Sequence, residues 1–206
     1  DGNTGVGYAA LDAITSGDNN VAVGYNSLSV LTSGSKNVAV GAHALAANST
    51  GGANVGVGYG ALNANSTGQY NTAVGDLALT VNSTGDQNTA FGKNAVAVNT
   101  TASNNTGIGY NTMASNTTGA DNTAVGAFAL DANTTANNCT AVGKHALGAN
   151  TTGIENVSVG NYTLDANTTG TDNTAVGYNA LSANTSAVNN VGIGAQAMSD
   201  TTGGAY

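Results

Sequence analysis

The sequence predicts an all-β chain wound as a parallel β-solenoid, a β-roll of twelve 17-residue coils. Three observations carry that expectation. A 17-residue period runs without insertion or deletion, so that after a two-residue lead twelve blocks account for all 206 residues. Each block repeats one glycine, at Gly7, Gly24, Gly41, Gly58, Gly75, Gly92, Gly109, Gly126, Gly143, Gly160, Gly177 and Gly194. Apolar residues alternate with period two over stretches too short for a helix.

Numbering each block 1 to 17 from Asn3 puts this glycine at position 5. Position 4 before it is Val except at Phe91, Ile108 and Ile193, and position 9 is Leu except at Val96, Met113 and Met198. Both rows read as core. A first short strand is expected at about positions 1–4, a turn at 5–7, a second short strand at about 8–11, and a wider turn through Asn-Thr-Thr-Gly-x-x. Gly and Asn suit both turns because they tolerate left-handed backbone. Gly or Ala at position 3 and mainly Ala at position 8 leave the opposite strand face small, as a close neighbour would require.

The charges test this register independently, because ionisable groups avoid interiors. Lys93, Lys144 and Asp76 fall at position 6, His43 and His145 at 7, Asp12, Asp131 and Asp165 at 10, and most others at 16 and 17; Asp200 at position 11 is the outlier. In-register stacking at about 4.8 Å per coil predicts a rod of roughly 58 Å. Asn recurs at position 1 in eleven coils, so its amides are expected to bond along the stack.

Three Lys, no Arg and eleven acidic residues give a net charge of −8, which removes the cationic surface that nucleic acid or an anionic membrane would need. No apolar run approaches the roughly 20 residues of a membrane span. The 206 residues read as a single uncapped array, expected to continue as a segment of a longer fibre because open solenoid ends expose strand edges.

The segments Asn37–Gly41 (Asn-Val-Ala-Val-Gly), Asn122–Gly126 (Asn-Thr-Ala-Val-Gly) and Asn173–Leu181 resemble the head repeats of trimeric autotransporter adhesins, and repeats of bacterial and phage tail-fibre-like proteins. The similarity covers all twelve coils. It implies a left-handed β-roll in which three chains associate through small and branched residues. The period of 17 departs from the adhesin heads, which usually run shorter, and no neck, stalk or membrane anchor is found in these residues.

Catalysis needs unlike groups converging in a pocket, whereas a regular rod repeats like groups along ridges, so no enzyme and no cofactor are expected. His43 and His145 lie six coils apart and read as solvated loop residues. Cys139 replaces the position-1 Asn and, as the one cysteine, makes neither a disulfide framework nor a zinc set. The acidic residues lack the turn-by-turn pattern of calcium-binding solenoids, so no metal site is expected.

Asn48, Asn65, Asn82, Asn99, Asn116, Asn133, Asn150, Asn167 and Asn184 form a row of nine acceptor sequons at position 12. They are candidate glycosylation sites, although turn chemistry accounts for the same row. Tyr8, Tyr25, Tyr59, Tyr110 and Tyr178 share position 6 and are candidate exposed contact residues, for saccharide, for protein, or between chains.

These readings converge on an extracellular or cell-surface structural and adhesive fibre segment, or a phage tail fibre. Its expected partners are copies of itself, as a trimer or end-to-end filament, and a carbohydrate or host-surface receptor. The alternative is an ice-binding solenoid. Against that stand two features: the adjacent Thr/Ser at positions 13 and 14 are not two apart on a strand, and Thr at position 2 exchanges with Val as an interior residue would.

Overall fold

A computed structural model describes residues 2–200 and Thr202. Asp1, Thr201 and Tyr206, which the register assigns to positions 16, 12 and 17, lie outside the described residues. The chain falls into two compact units, Asp1–Asn104 and Asn105–Tyr206. The first holds β1 (Thr4–Val6), β2 (Val21–Val23), β3 (Val38–Val40), β4 (Val55–Val57), β5 (Thr72–Val74) and β6 (Thr89–Phe91). The second holds β7 (Thr106–Ile108), β8 (Thr123–Val125), β9 (Thr140–Val142), β10 (Val157–Val159), β11 (Thr174–Val176) and β12 (Val191–Ile193).

Within each unit consecutive strands pair parallel and in register at a 17-residue offset. Val38 opposes Val55, and Val125 opposes Val142. No helix occurs among the described residues. The all-β parallel solenoid of twelve 17-residue coils is therefore the fold.

Each coil has one strand, not two. The segment expected to be the second strand is a turn, because positions 7 and 9 both adopt left-handed backbone, as at His145 (φ 54°) and Leu147 (φ 56°). The alternation aims successive N–H groups in opposite directions along the stack. His145 N–H donates to the Ala127 carbonyl of the preceding coil (3.1 Å), and Leu147 N–H to the Thr163 carbonyl of the following one (2.9 Å). A left-handed leucine costs about 1–2 kcal/mol. Its full burial returns about 2 kcal/mol, and the hydrogen bond to the next coil adds to that.

The strand faces are the reverse of the expectation. Position 3 points inward: Ala39, Ala73, Ala124 and Ala175 are fully buried. Position 4 points outward, with Val6, Val23, Val40, Phe91, Ile108, Val176 and Ile193 between 36% and 70% exposed. The cause is the width of the coil. A Cβ on Gly56 would stand 3.1 Å from the Ala61 carbonyl oxygen and 3.3 Å from Leu45 Cγ, so position 3 admits at most a small side chain. Valine has no room inside, and a one-residue slip of strand register sends it outside.

The core is the leucine row, including Leu28, Leu62, Leu147 and Leu181, backed by the alanines of positions 3 and 8. Of the two rows read as core from sequence, position 9 is confirmed and position 4 is not. Positions 3 and 8, read as a small face awaiting a neighbour, meet each other and the leucines within the coil.

Asparagine completes the interior. Asn37 Nδ2 donates to Asn20 Oδ1 (3.1 Å) and to the Gly51 carbonyl (2.9 Å), while Asn37 N–H donates to Asn20 Oδ1 (2.9 Å). Position 12 forms a second ladder: Asn65 Nδ2 donates to Asn48 Oδ1 (3.0 Å) and to the Gly68 carbonyl (3.0 Å). Gly68 O also accepts from Asn54 Nδ2 (2.8 Å), so the position-15 carbonyl joins the two ladders.

Gly126 illustrates why position 5 never varies. Its φ is 133°, and a Cβ there would stand 2.5 Å from the Gly143 carbonyl oxygen. Gly126→Ala is expected to cost about 2–4 kcal/mol by combined strain and overlap, read as a lowered midpoint in chemical denaturation. Cys139 interrupts the position-1 ladder, its Sγ facing the Gly153 carbonyl at 3.3 Å where an amide would donate. Cys139→Asn restores that bond and the missing acceptor, and is expected to raise stability by about 1 kcal/mol in the same measurement.

Candidate functional surfaces

Two outward features are built by the coil. The first is the strand face itself, with Thr or Val at position 2 beside Val, Ile or Phe at position 4. None of these residues is ionisable in any coil. Thr4, Thr123 and Val191 of position 2 are exposed, and the others are half-buried.

The second is a file of rings on the turn at positions 6 and 7. In the first unit Tyr8 stacks on Tyr25 (5.4 Å between centroids), Tyr25 meets His43 edge-on (5.3 Å), and His43 meets Tyr59 edge-on (5.9 Å). In the second, Tyr110 meets Phe128 edge-on (5.3 Å), Phe128 stacks on His145 (5.0 Å), His145 on Tyr162 (5.4 Å), and Tyr162 meets Tyr178 edge-on (6.4 Å). Lys144 holds its ammonium 5.7 Å from the Tyr162 centroid.

The tyrosines singled out from sequence, Tyr8, Tyr25, Tyr59, Tyr110 and Tyr178, are 48–73% exposed. The histidines read as solvated loop residues are instead half-buried members of these files. The sequence signal was divided between two positions: the files step from 6 to 7 and back, so neither column alone shows a whole file.

Beside the second file lie two carboxylates. Asp131 and Asp165 occupy position 10 in the coils flanking Gly148. A Cβ on Gly148 would stand 2.9 Å from Asp165 Oδ1, 3.4 Å from the His145 carbonyl oxygen and 3.5 Å from Asp131 Oδ1. Burial raises the pKa of both carboxyls, and the nearby His145 imidazole only partly offsets it.

The nine position-12 asparagines, Asn48 through Asn184, are completely buried. The nitrogen that an oligosaccharide would occupy donates inside the coil, as Asn82 Nδ2 does to Asn65 Oδ1 (2.9 Å) and the Gly85 carbonyl (2.9 Å). The folded coil has no room for a glycan there. A sequence signal for this burial existed, since Ile14 and Leu31 replace Asn in the same row. Cys139 is buried, and burial pushes its thiol pKa up.

Among the described residues no group of three or more His, Cys, Asp or Glu could hold a metal ion. No helix is long and apolar enough to cross a membrane. A surface hollow on the wide turn of the first unit is lined by hydroxyls and by Lys36, Gln69 and Tyr70. No protein-family model, curated protein or solved structure matches the chain.

The raised carboxyls have a signed consequence. A carboxyl whose folded pKa lies above its unfolded value holds its proton more tightly when folded, so its ionisation at neutral pH destabilises the fold. Asp165→Asn is expected to raise the melting temperature at pH 7. The advantage should close as pH falls past the ordinary aspartate value of 3.8, as followed by thermal melts across an acid series.

Proposed function

We propose that this chain is a segment of a structural and adhesive extracellular fibre, at a cell surface or in a phage tail fibre. Copies lie parallel and side by side through their position-2 and position-4 faces, three copies by the resemblance to adhesin heads. The role is mechanical and needs no catalytic step. One observation carries the reading: an apolar side chain, Val or Ile in every coil but that of Phe91, stands outward at position 4 in an unbroken uncharged stripe.

Uncovered branched strand faces are an association hazard. An identical face from another copy covers them with matching period and no charge to strand. Burying a half-exposed valine contributes roughly 1 kcal/mol per coil, whereas association costs about 4–15 kcal/mol of lost freedom. Many coils must therefore engage together, which a long unbroken period allows.

A second reading, ice binding, is favoured by the same face. Thr106, Thr123 and Thr140 lie two residues from Ile108, Val125 and Val142 on parallel strands. The sequence-based objection that position 2 is interior fails, because residues 2 and 4 share the outer face.

Sedimentation of the whole chain separates the two. The fibre reading expects a multiple of 19.8 kDa, reduced to the single chain by Val125→Lys combined with Val159→Lys, with the β circular-dichroism signal retained. A wild-type chain that stays at the monomer mass over a wide concentration range sinks the fibre reading, and thermal hysteresis in that monomer would establish the second.

A further inference from the structure

We propose that the ring-bearing edge of the second unit binds a linear, neutral, β-linked glycan. The inference rests on the adhesive part of the preceding reading and names the ligand class for one surface.

Five rings, Tyr110, Phe128, His145, Tyr162 and Tyr178, stand one per coil at centroid spacings of 5.0–6.4 Å. The middle three are parallel and cover one another. The end rings are turned crosswise and remain 48% and 52% exposed. Tyr110 and Tyr178 are four coils apart, roughly 19 Å, and make two aromatic contact points for the C–H faces of sugar rings. An extended β-linked chain advances by about one coil spacing per sugar, so a few residues bridge them.

Local backbone preference does not account for these rings. Phe128, His145 and Tyr162 hold left-handed backbone at φ 58°, 54° and 57°, where the flanking coils place Asn111 and Asn179, residues better suited to it. Ring-to-ring contact and partial burial return part of that backbone cost. Position 7 is left-handed in every coil, Ala9, Leu77 and Gln196 included, so what is particular to this stretch is three consecutive rings where Asn suits the backbone best.

The carboxylates point the same way. Asp131 and Asp165 are half-buried, carry no ion pair among the described residues, and cost stability at neutral pH, while position 10 of other coils in this unit holds Ala114, Ser182 or Ser199. Two acceptors beside an aromatic file suit the hydroxyl donors of a sugar. Their two charges, within a net charge of −8 and against the single Lys144 ammonium on Tyr162, repel uronate or sulfated chains. A neutral glycan is what remains.

The test titrates the full chain calorimetrically with cellohexaose, chitohexaose and mannohexaose, and with a heparin hexasaccharide as the anionic comparison. At least one neutral hexaose is expected to bind and the heparin fragment is not. Tyr110→Ala with Tyr178→Ala should weaken that binding about ten-fold or more, with the chain still folded and its melting temperature lowered only by the loss of the two end-ring contacts. Asp131→Asn with Asp165→Asn should weaken binding while raising the melting temperature at pH 7, opposite signs that a purely structural role does not produce. Binding of none of the neutral hexaoses, equal binding of the heparin fragment, or wild-type affinity in the tyrosine variant overturns the proposal. Sedimentation of the same samples keeps the two readings apart: an assembled chain that binds no hexaose defeats this inference alone, and a monomer that binds defeats the fibre reading alone.

Discussion

The buried amide of asparagine is the constraint on which the structure depends. An amide both donates and accepts, and inside most coils it is satisfied by an equivalent amide one coil away and by the position-15 carbonyl, Asn167 Oδ1 and Asn190 Oδ1 being left without a partner among the described residues. Asn54 and Asn65 meet at Gly68 O, and Asn88 and Asn99 meet at Ala102 O, each bond between 2.8 and 3.0 Å. An inserted or deleted residue would take both ladders out of register and strand several buried amides, each at about 1–3 kcal/mol. That penalty explains a 17-residue period without interruption better than hydrophobic contacts do, since these tolerate displacement. Cys139 shows what a single gap looks like: its backbone N–H still donates to Asn122 Oδ1 at 2.9 Å, but it offers no amide oxygen to Asn156 in the next coil.

The ladders also set the width of the coil, and the width decides which side chains face out. With amides on one side and leucines on the other, position 3 has space for Ala, Gly or the small Ser158, whose hydroxyl donates to the Thr163 carbonyl at 2.8 Å. Valine at position 4 is consequently excluded from the interior of its own chain. The coil is held together by leucine and asparagine and is left with an apolar outer stripe, which links the packing of one chain to a reading in which chains pack on each other.

The turn at positions 6 to 10 carries fewer such demands. Its left-handed residues send hydrogen bonds to both neighbouring coils, so the backbone stays fixed whatever side chain it bears. Asn111, Phe128, His145 and Tyr162 occupy the same position with φ within 51–58°. Rings and carboxylates can therefore be set at chosen heights on a rigid frame, and at the partly buried Asp131 and Asp165 that freedom works against stability.

Period, glycine row, the first strand, the outward placement of charge and the position-1 ladder were all legible in the sequence, because each follows from repetition or from local backbone chemistry. Gly126 is needed by its own φ, and Asn37 repeats Asn20 at one period whatever the cross-section. The sense of the strand was not legible: Ala124 inside and Val125 outside, or the reverse, satisfy the same alternation. Nor were the left-handed leucines such as Leu147, or ring files that step between two positions. Those were decided by how much space one closed coil leaves inside, which depends on all of its sides together and is a property of no single residue or spacing.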